Sequence, residues 1–253
     1  MSRCSLCLLI ALPLIAVAGS AEPPARLSPP QNMLWSWFAE DDFRPAAPSG
    51  TGVAWLAMSL QFSRSGVSVA PRAASLRTPR GMYEMAVVRF NFEPSEYPPA
   101  GISSWHPRQR IQAEQSILDL VRLTGATSLQ LDFDAPESAR PFYRDLLRSL
   151  RAQLPGNTYL SITALASWCM EPKSWLASLP VDEFVPMVFD MGQSGDAVLT
   201  LLKRGGEFPF PGCRTTLGIR QSSSDIPAKP GVRIYRFNGG QPWNGITRRQ
   251  FRP

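Results

Sequence analysis

The chain has 253 residues, 44% of them hydrophobic and 18% charged, which excludes a disordered tail protein and fits a chain that buries a sizeable core. Twenty-six basic residues against 20 acids give a formal charge of +6, and all but three of the basic residues are Arg. No run of them could track a phosphate backbone, which argues against a nucleic-acid partner, and the single histidine, His106, excludes multi-His metal sites and leaves no pattern that calls for a cofactor.

Residues 1–21 read as a secretory signal. Arg3 supplies the positive start, Leu6 to Ala18 form an apolar run interrupted by Pro13, and Ala16-Val17-Ala18 offers a small-residue cleavage site. The run is shorter than the roughly 20 residues a spanning helix needs. The expectation is therefore an exported protein, periplasmic or extracellular, with no membrane span once the signal is gone. Cys4 and Cys7 leave with that segment. Cys169 and Cys213 then stand in a compartment that permits a disulfide, and a bridge or two buried thiols both fit the sequence. Residues 22–32 are a Pro-rich leader, and residues 33–253 read as one domain.

Beyond the leader, apolar runs and connections alternate. Strands are predicted at Met33–Phe38, Gly52–Phe62, with a short hairpin partner at Gly66–Pro71, and Tyr83–Phe92. A helix follows from Gln109 to Thr124, where Ile111, Ile117, Leu118, Leu120, Val121 and Leu123 recur at helical spacing and Gly125 stops it. Next come a strand at Ser128–Asp134, a helix over Arg140–Gln153, and strands at Tyr159–Trp168, Phe184–Asp190, Thr215–Arg220 and Arg233–Asn238. Short helices are predicted at Lys173–Ser178 and Asp196–Arg204. Eight strands alternating with helices predict an α/β fold, a (β/α)8 TIM-like barrel. It should be irregular at its first βα unit, because the connection from Ala39 to Thr51 is short and Pro-rich.

The alternation within SLQLDFD carries the most information. Leu129, Leu131 and Phe133 share one side, and Ser128, Gln130, Asp132 and Asp134 the other. Packing the apolar side on the outer helices turns two carboxylates into the barrel, which is costly unless they are hydrogen-bonded or used. Two readings fit: a functional pair, or Asp134 capping the following helix with Asp132 paired to an inward Arg such as Arg89. Other strand ends supply Asn91, Ser161, Thr163, Ser167, Asp190, Arg220, Arg236 and Asn238. Trp35, Trp37, Trp168 and Trp243 also fall at or near strand ends. Polar groups for hydroxyls beside indoles for sugar faces describe a carbohydrate site. Asp134 with Asp190 or Glu171 could then act as acid and base on a glycosidic bond, with Asp132 raising the pKa of Asp134 by like-charge repulsion.

Three blocks in order, LQLDFDAPESARPFYRDLLRSLRAQLP, LSITALASWC and LPVDEFVPMVFDMG, resemble the bacterial domain-of-unknown-function family 3142 over residues 33 to 240. That resemblance implies a secreted barrel and names no reaction. More distantly the chain is similar to the chitinase-like glycoside hydrolases. Asp132-Phe133-Asp134 matches the D-x-D core of their fourth-strand motif, and Met187-Val188-Phe189-Asp190 matches their sixth-strand Met-x-Tyr-Asp with Phe for Tyr. Where that family carries its acid Glu, this chain has Pro136, followed by Glu137, so the family's mechanism does not carry over. Two functions remain: hydrolysis of a polysaccharide through strand-end carboxylates, or a catalytically inactive barrel that binds a glycan or a partner in the cell envelope. The sequence carries no signal for oligomeric state.

Overall fold

The computed structural model describes residues 26–45, 50–63, 65–92, 107–134, 137–192, 195–223, 226–227 and 229–243. The predicted signal, His106 and Pro136 lie outside them. Eleven strands run in chain order: β1 (Asn32–Ser36), β2 (Asp41–Asp42), β3 (Thr51–Ser63), β4 (Gly66–Pro71), β5 (Leu76–Arg77), β6 (Tyr83–Phe92), β7 (Ser128–Phe133), β8 (Tyr159–Leu165), β9 (Glu183–Met187), β10 (Thr216–Arg220) and β11 (Arg233–Phe237). The helices are α1 (Pro107–Thr124), α2 (Arg140–Gln153) and α3 (Gly195–Lys203). Strands β1, β3, β6, β7, β8, β9, β10 and β11 pair in that order, all parallel, and β11 returns to β1. This is the expected (β/α)8 barrel.

Helix α1 turns Ala113, Ile117 and Val121 inward at i, i+4 and i+8, and Gly125 at φ +66° ends it, a conformation that costs glycine little. Phe142, Tyr143, Leu146, Leu147 and Leu150 form the stripe of α2. Both stripes pack on the outward residues of the sheet, Leu129, Leu131 and Phe133 of β7 among them. The interior holds the opposite residues: Met33, Trp35, Ala54, Leu56, Met85, Val87, Tyr159, Val185 and Tyr235.

The irregularity extends past the first unit, because the β3–β6 connection carries β4 and β5 instead of a helix. Leu34, Phe43, Val53 and Trp243 cover the outer face there. Arg72, just after β4, stands in for helix packing. Its guanidinium donates to the carbonyls of Ser36, Trp37, Ala39 and Ala74, which draws the chain out of β1 before the Phe38 end predicted from sequence. A β-bulge between Leu56 and Met58 switches faces along β3: Ala54 and Leu56 point into the barrel, Met58, Leu60 and Phe62 out to the helices. Three other expectations shorten, one of them the strand predicted to Asp190, which ends at Met187. Strand β8 stops at Leu165, where Ala166–Cys169 forms a 3₁₀ turn, and the helix predicted at Lys173–Ser178 is a single 3₁₀ turn capped by Ser174.

Below the mouth the apolar interior is crossed by a chain of paired polar groups. Gln130 accepts a hydrogen bond from the Trp35 indole (2.7 Å) and donates to Ser161 (3.0 Å). Ser161 and Tyr235 both donate to Glu183, at 2.8 and 2.7 Å, and Arg233 completes an ion pair with it. The same guanidinium donates to the carbonyls of Pro29 and Pro30, so the leader closes the lower end of the barrel. Arg26 extends that floor to the carbonyl of Gly156 and the carboxylate of Asp182. Cys169 and Cys213 form a buried disulfide joining the connections before β9 and β10. Among the described residues no helix is long and apolar enough to cross a membrane.

Candidate active site

A cavity of about 440 Å³ opens at the C-terminal ends of the strands, the end where barrel loops ordinarily build sites. Its apolar lining is Trp35, Trp37, Met187, Phe189, Met191 and Phe237, and its charged lining is Arg89, Asp132, Asp134 and Asp190. The floor is set by close packing. Trp35 is 2% exposed and stacks on Trp37, with ring centroids 6.4 Å apart and planes 9° apart. A Cβ on Gly218 would lie 2.6 Å from the Trp35 ring, so only glycine lets the indole lie flat against β10.

Asp132 and Asp134 leave β7 on its inward side, two residues apart. Asp132 is buried, accepts a hydrogen bond from Thr163 (2.7 Å) and lies 3.7 Å from the Arg89 guanidinium, its register partner on β6. Burial pushes its carboxyl above the usual range. The Thr163 hydrogen bond and the Arg89 charge oppose that rise, and the charge of Asp134 adds to it. Desolvation is thus the leading cause of the shift on Asp132, and like-charge repulsion a lesser one. Asp134 is exposed and accepts no hydrogen bond from any described residue.

Asp190 lies on the rim in the left-handed region, at φ +52°, a conformation uncommon for a residue other than glycine. Arg220 holds it in an ion pair at 2.5 Å, and the same guanidinium packs over the rings of Phe189 and Phe237, 5.7 Å from each centroid. Arg220 therefore buttresses the wall from behind and is not part of the cavity lining.

Asn91, Glu171, Trp168, Trp243, Arg236 and Asn238 are outside the lining. Trp168 fails to reach it because period-2 alternation ends with β8. The 3₁₀ turn carries its ring outward against Trp175, while Ala166 and Ser167 reach the cavity. Arg236 faces out because Tyr235 and Phe237 take the inner side of β11, and burial lowers its pKa. Asn238 donates to the Pro242 carbonyl at 3.2 Å, bracing the turn to Trp243, whose indole donates to the Trp35 carbonyl from outside the barrel. Phe237, stacked on Phe189 at 5.4 Å, was not singled out from sequence, and Phe189 entered only as the counterpart of the Tyr in the chitinase-like sixth-strand motif. The inward phase of β11, set by Tyr235, places Phe237; Phe189 lies past the end of β9, where no periodicity extends.

No family model and no curated protein matches the chain. Among solved structures it is similar to a putative chitinase A from Streptomyces coelicolor, at 12% identity over 82% of this chain and 92% of that one, TM-score 0.49. It is also similar to the Bacillus cereus spore cortex-lytic enzyme SleL, at 16% identity over 79% and 55%, TM-score 0.48. A third is the catalytic domain of a chitinase from Pyrococcus furiosus, at 13% identity over 85% and 84%, TM-score 0.44.

Among the described residues no three His, Cys, Asp or Glu side chains gather as a metal ion would require. The chemistry on display is that of carboxyl groups beside aromatic rings.

Proposed function

We propose that the cavity binds a saccharide and that Asp132 and Asp134 hydrolyse its glycosidic bond. One observation carries this reading: two carboxyls leave the same face of β7 into an aromatic-lined cavity, one buried with its pKa raised and the other exposed and unpartnered among the described residues. Environments that separate a carboxyl pair in this way assign the acid to the buried member and the base or nucleophile to the free one. Asp132 then protonates the leaving oxygen, and Asp134 either activates water or attacks the anomeric carbon. Residues i and i+2 of a strand have Cα atoms roughly 6.6 Å apart, a spacing within which carboxyl groups reach either catalytic separation. Trp37 and Phe237 offer flat apolar faces to the sugar ring.

The test is reducing-end release from a panel of polysaccharides by the mature protein, with Asp134→Asn and Asp132→Asn alongside. We expect each substitution to lower turnover by about 100-fold or more, the range of a general acid or base, with binding retained. A substrate turned over equally by all three proteins overturns the assignment.

A second reading, binding without turnover, is favoured by the Arg220–Asp190 ion pair, which occupies the third carboxylate, and by Pro136 where a chitinase-like acid would stand. It predicts binding to the panel by wild type and by Asp134→Asn with no product from either.

A further inference from the structure

We propose that the mouth cavity selects a sugar bearing a carboxylate, a uronic acid or a related acidic sugar, held by the guanidinium fork of Arg89. The inference rests on the saccharide reading above and names its substrate class. Arg89 comes off the inward face of β6 with a side chain 39% exposed, and it lines the cavity. Its approach to Asp132 is through Nε at 3.7 Å, too long for a hydrogen bond. Neither terminal nitrogen of Arg89 hydrogen-bonds to a described residue.

Three other half-buried arginines of this barrel spend their forks on the protein itself. Arg72 donates to carbonyls, Arg151 to Asp182 and two carbonyls, and Arg233 to Glu183 and the leader. Arg220, the other arginine near the mouth, is committed to Asp190 and two phenyl rings. Arg89 is thus a cation turned into a ligand-sized cavity with its planar pair of donors available, and that pair matches the two oxygens of a carboxylate.

The surrounding carboxyls permit an incoming anion. Desolvation favours the neutral form of Asp132, and Arg220 neutralises Asp190, so Asp134 alone opposes it. The chain's +6 charge favours approach of an acidic polymer from a distance.

Calorimetric titration of the full mature chain decides the matter. The ligands are short uronate oligomers (galacturonate, glucuronate and mannuronate series), their neutral counterparts and a sulfated oligosaccharide, all at physiological salt. We expect at least one uronate oligomer to bind about tenfold or more tighter than its neutral counterpart, since a bidentate charge-assisted pair is worth that much. Arg89→Gln should erase the preference, and Arg89→Lys, which keeps the charge and loses the fork, should retain only part of it. Arg148→Gln, an exposed charge on α2, should change nothing. Thermal unfolding of each variant guards against misfolding.

Equal affinity for acidic and neutral oligomers, a preference that survives Arg89→Gln, or equal binding of the sulfated ligand overturns the proposal. Failure of the hydrolase reading has a separate signature. If the uronate preference is present and Arg89-dependent but no protein releases product, carboxylate selection stands and hydrolysis falls.

Discussion

At Asp132 the cost of burial is written into the pH dependence of the whole protein. The folded chain holds the Asp132 proton to higher pH than the unfolded chain does, because burial raises the folded value above the ordinary 3.9 or so of an aspartate. Folding therefore loses stability as pH rises from that ordinary value through the raised one, and the loss levels off above it. Asp132→Asn removes the titration. Unfolding free energies measured from about pH 3 to about pH 8 should show the difference between variant and wild type growing in the variant's favour with pH across that window. At Gly218 the constraint is steric. Gly218→Ala meets a Trp35 ring already pinned by Gln130, and an overpacked core costs about 1–3 kcal/mol. Urea unfolding should register that loss, together with a change in tryptophan emission as the cavity floor shifts.

Among the elements, the end of β1 depends on a single distant side chain. Arg72 holds the carbonyls of Ser36, Trp37 and Ala39 where a regular barrel would have a helix. Hydrogen bonds to a charged donor contribute about 1.5–3 kcal/mol when one partner is removed. Arg72→Ala should accordingly cost roughly 3 kcal/mol in chemical denaturation, and saccharide binding should weaken because Trp37 loses its anchor.

The same contrast between local and distant causes marks how far the sequence could be read. Period-2 alternation in β6 and β7 located the inward residues, and with them Arg89, Asp132 and Asp134, whereas on β11 the polar residues Arg236 and Asn238 pointed to the wrong phase, since Tyr235 and Phe237 face inward. Both long helices followed from 3.6-residue spacing and, for α1, a terminal glycine. What escaped is what no local period encodes. The bulge in β3 reverses its faces, the 3₁₀ turn sends Trp168 into the outer core, and Arg72 reaches back more than 30 residues to end β1 early. The commitment of Arg220 to Asp190 likewise joins two strand ends 30 residues apart.

For the molecule as a whole, two long-range ties act on the unfolded chain and the barrel axis. The Cys169–Cys213 disulfide closes a loop of 44 residues, which on chain-entropy grounds contributes about 4 kcal/mol. Reduction should lower the melting temperature by roughly 10 °C, measured by calorimetry with and without reductant. The Glu183–Arg233 pair is buried and shared with Tyr235 and the leader, and removing one partner of such a pair costs about 3–5 kcal/mol.

The seam at which β11 meets β1 joins the two extremes of the described chain, since Asn32 lies in register with Ile234. Until β11 is available, β1 and β10 are raw edges, and synthesis from the N-terminus supplies β11 after the other seven strands of the barrel. Without β11 the barrel strands can pair only as an open sheet, which lacks the Tyr235 and Arg233 partners of the Glu183 carboxyl. A fragment ending before Arg233 should remain such a sheet and stick to its own copies, and light scattering of that fragment against the full chain measures the difference.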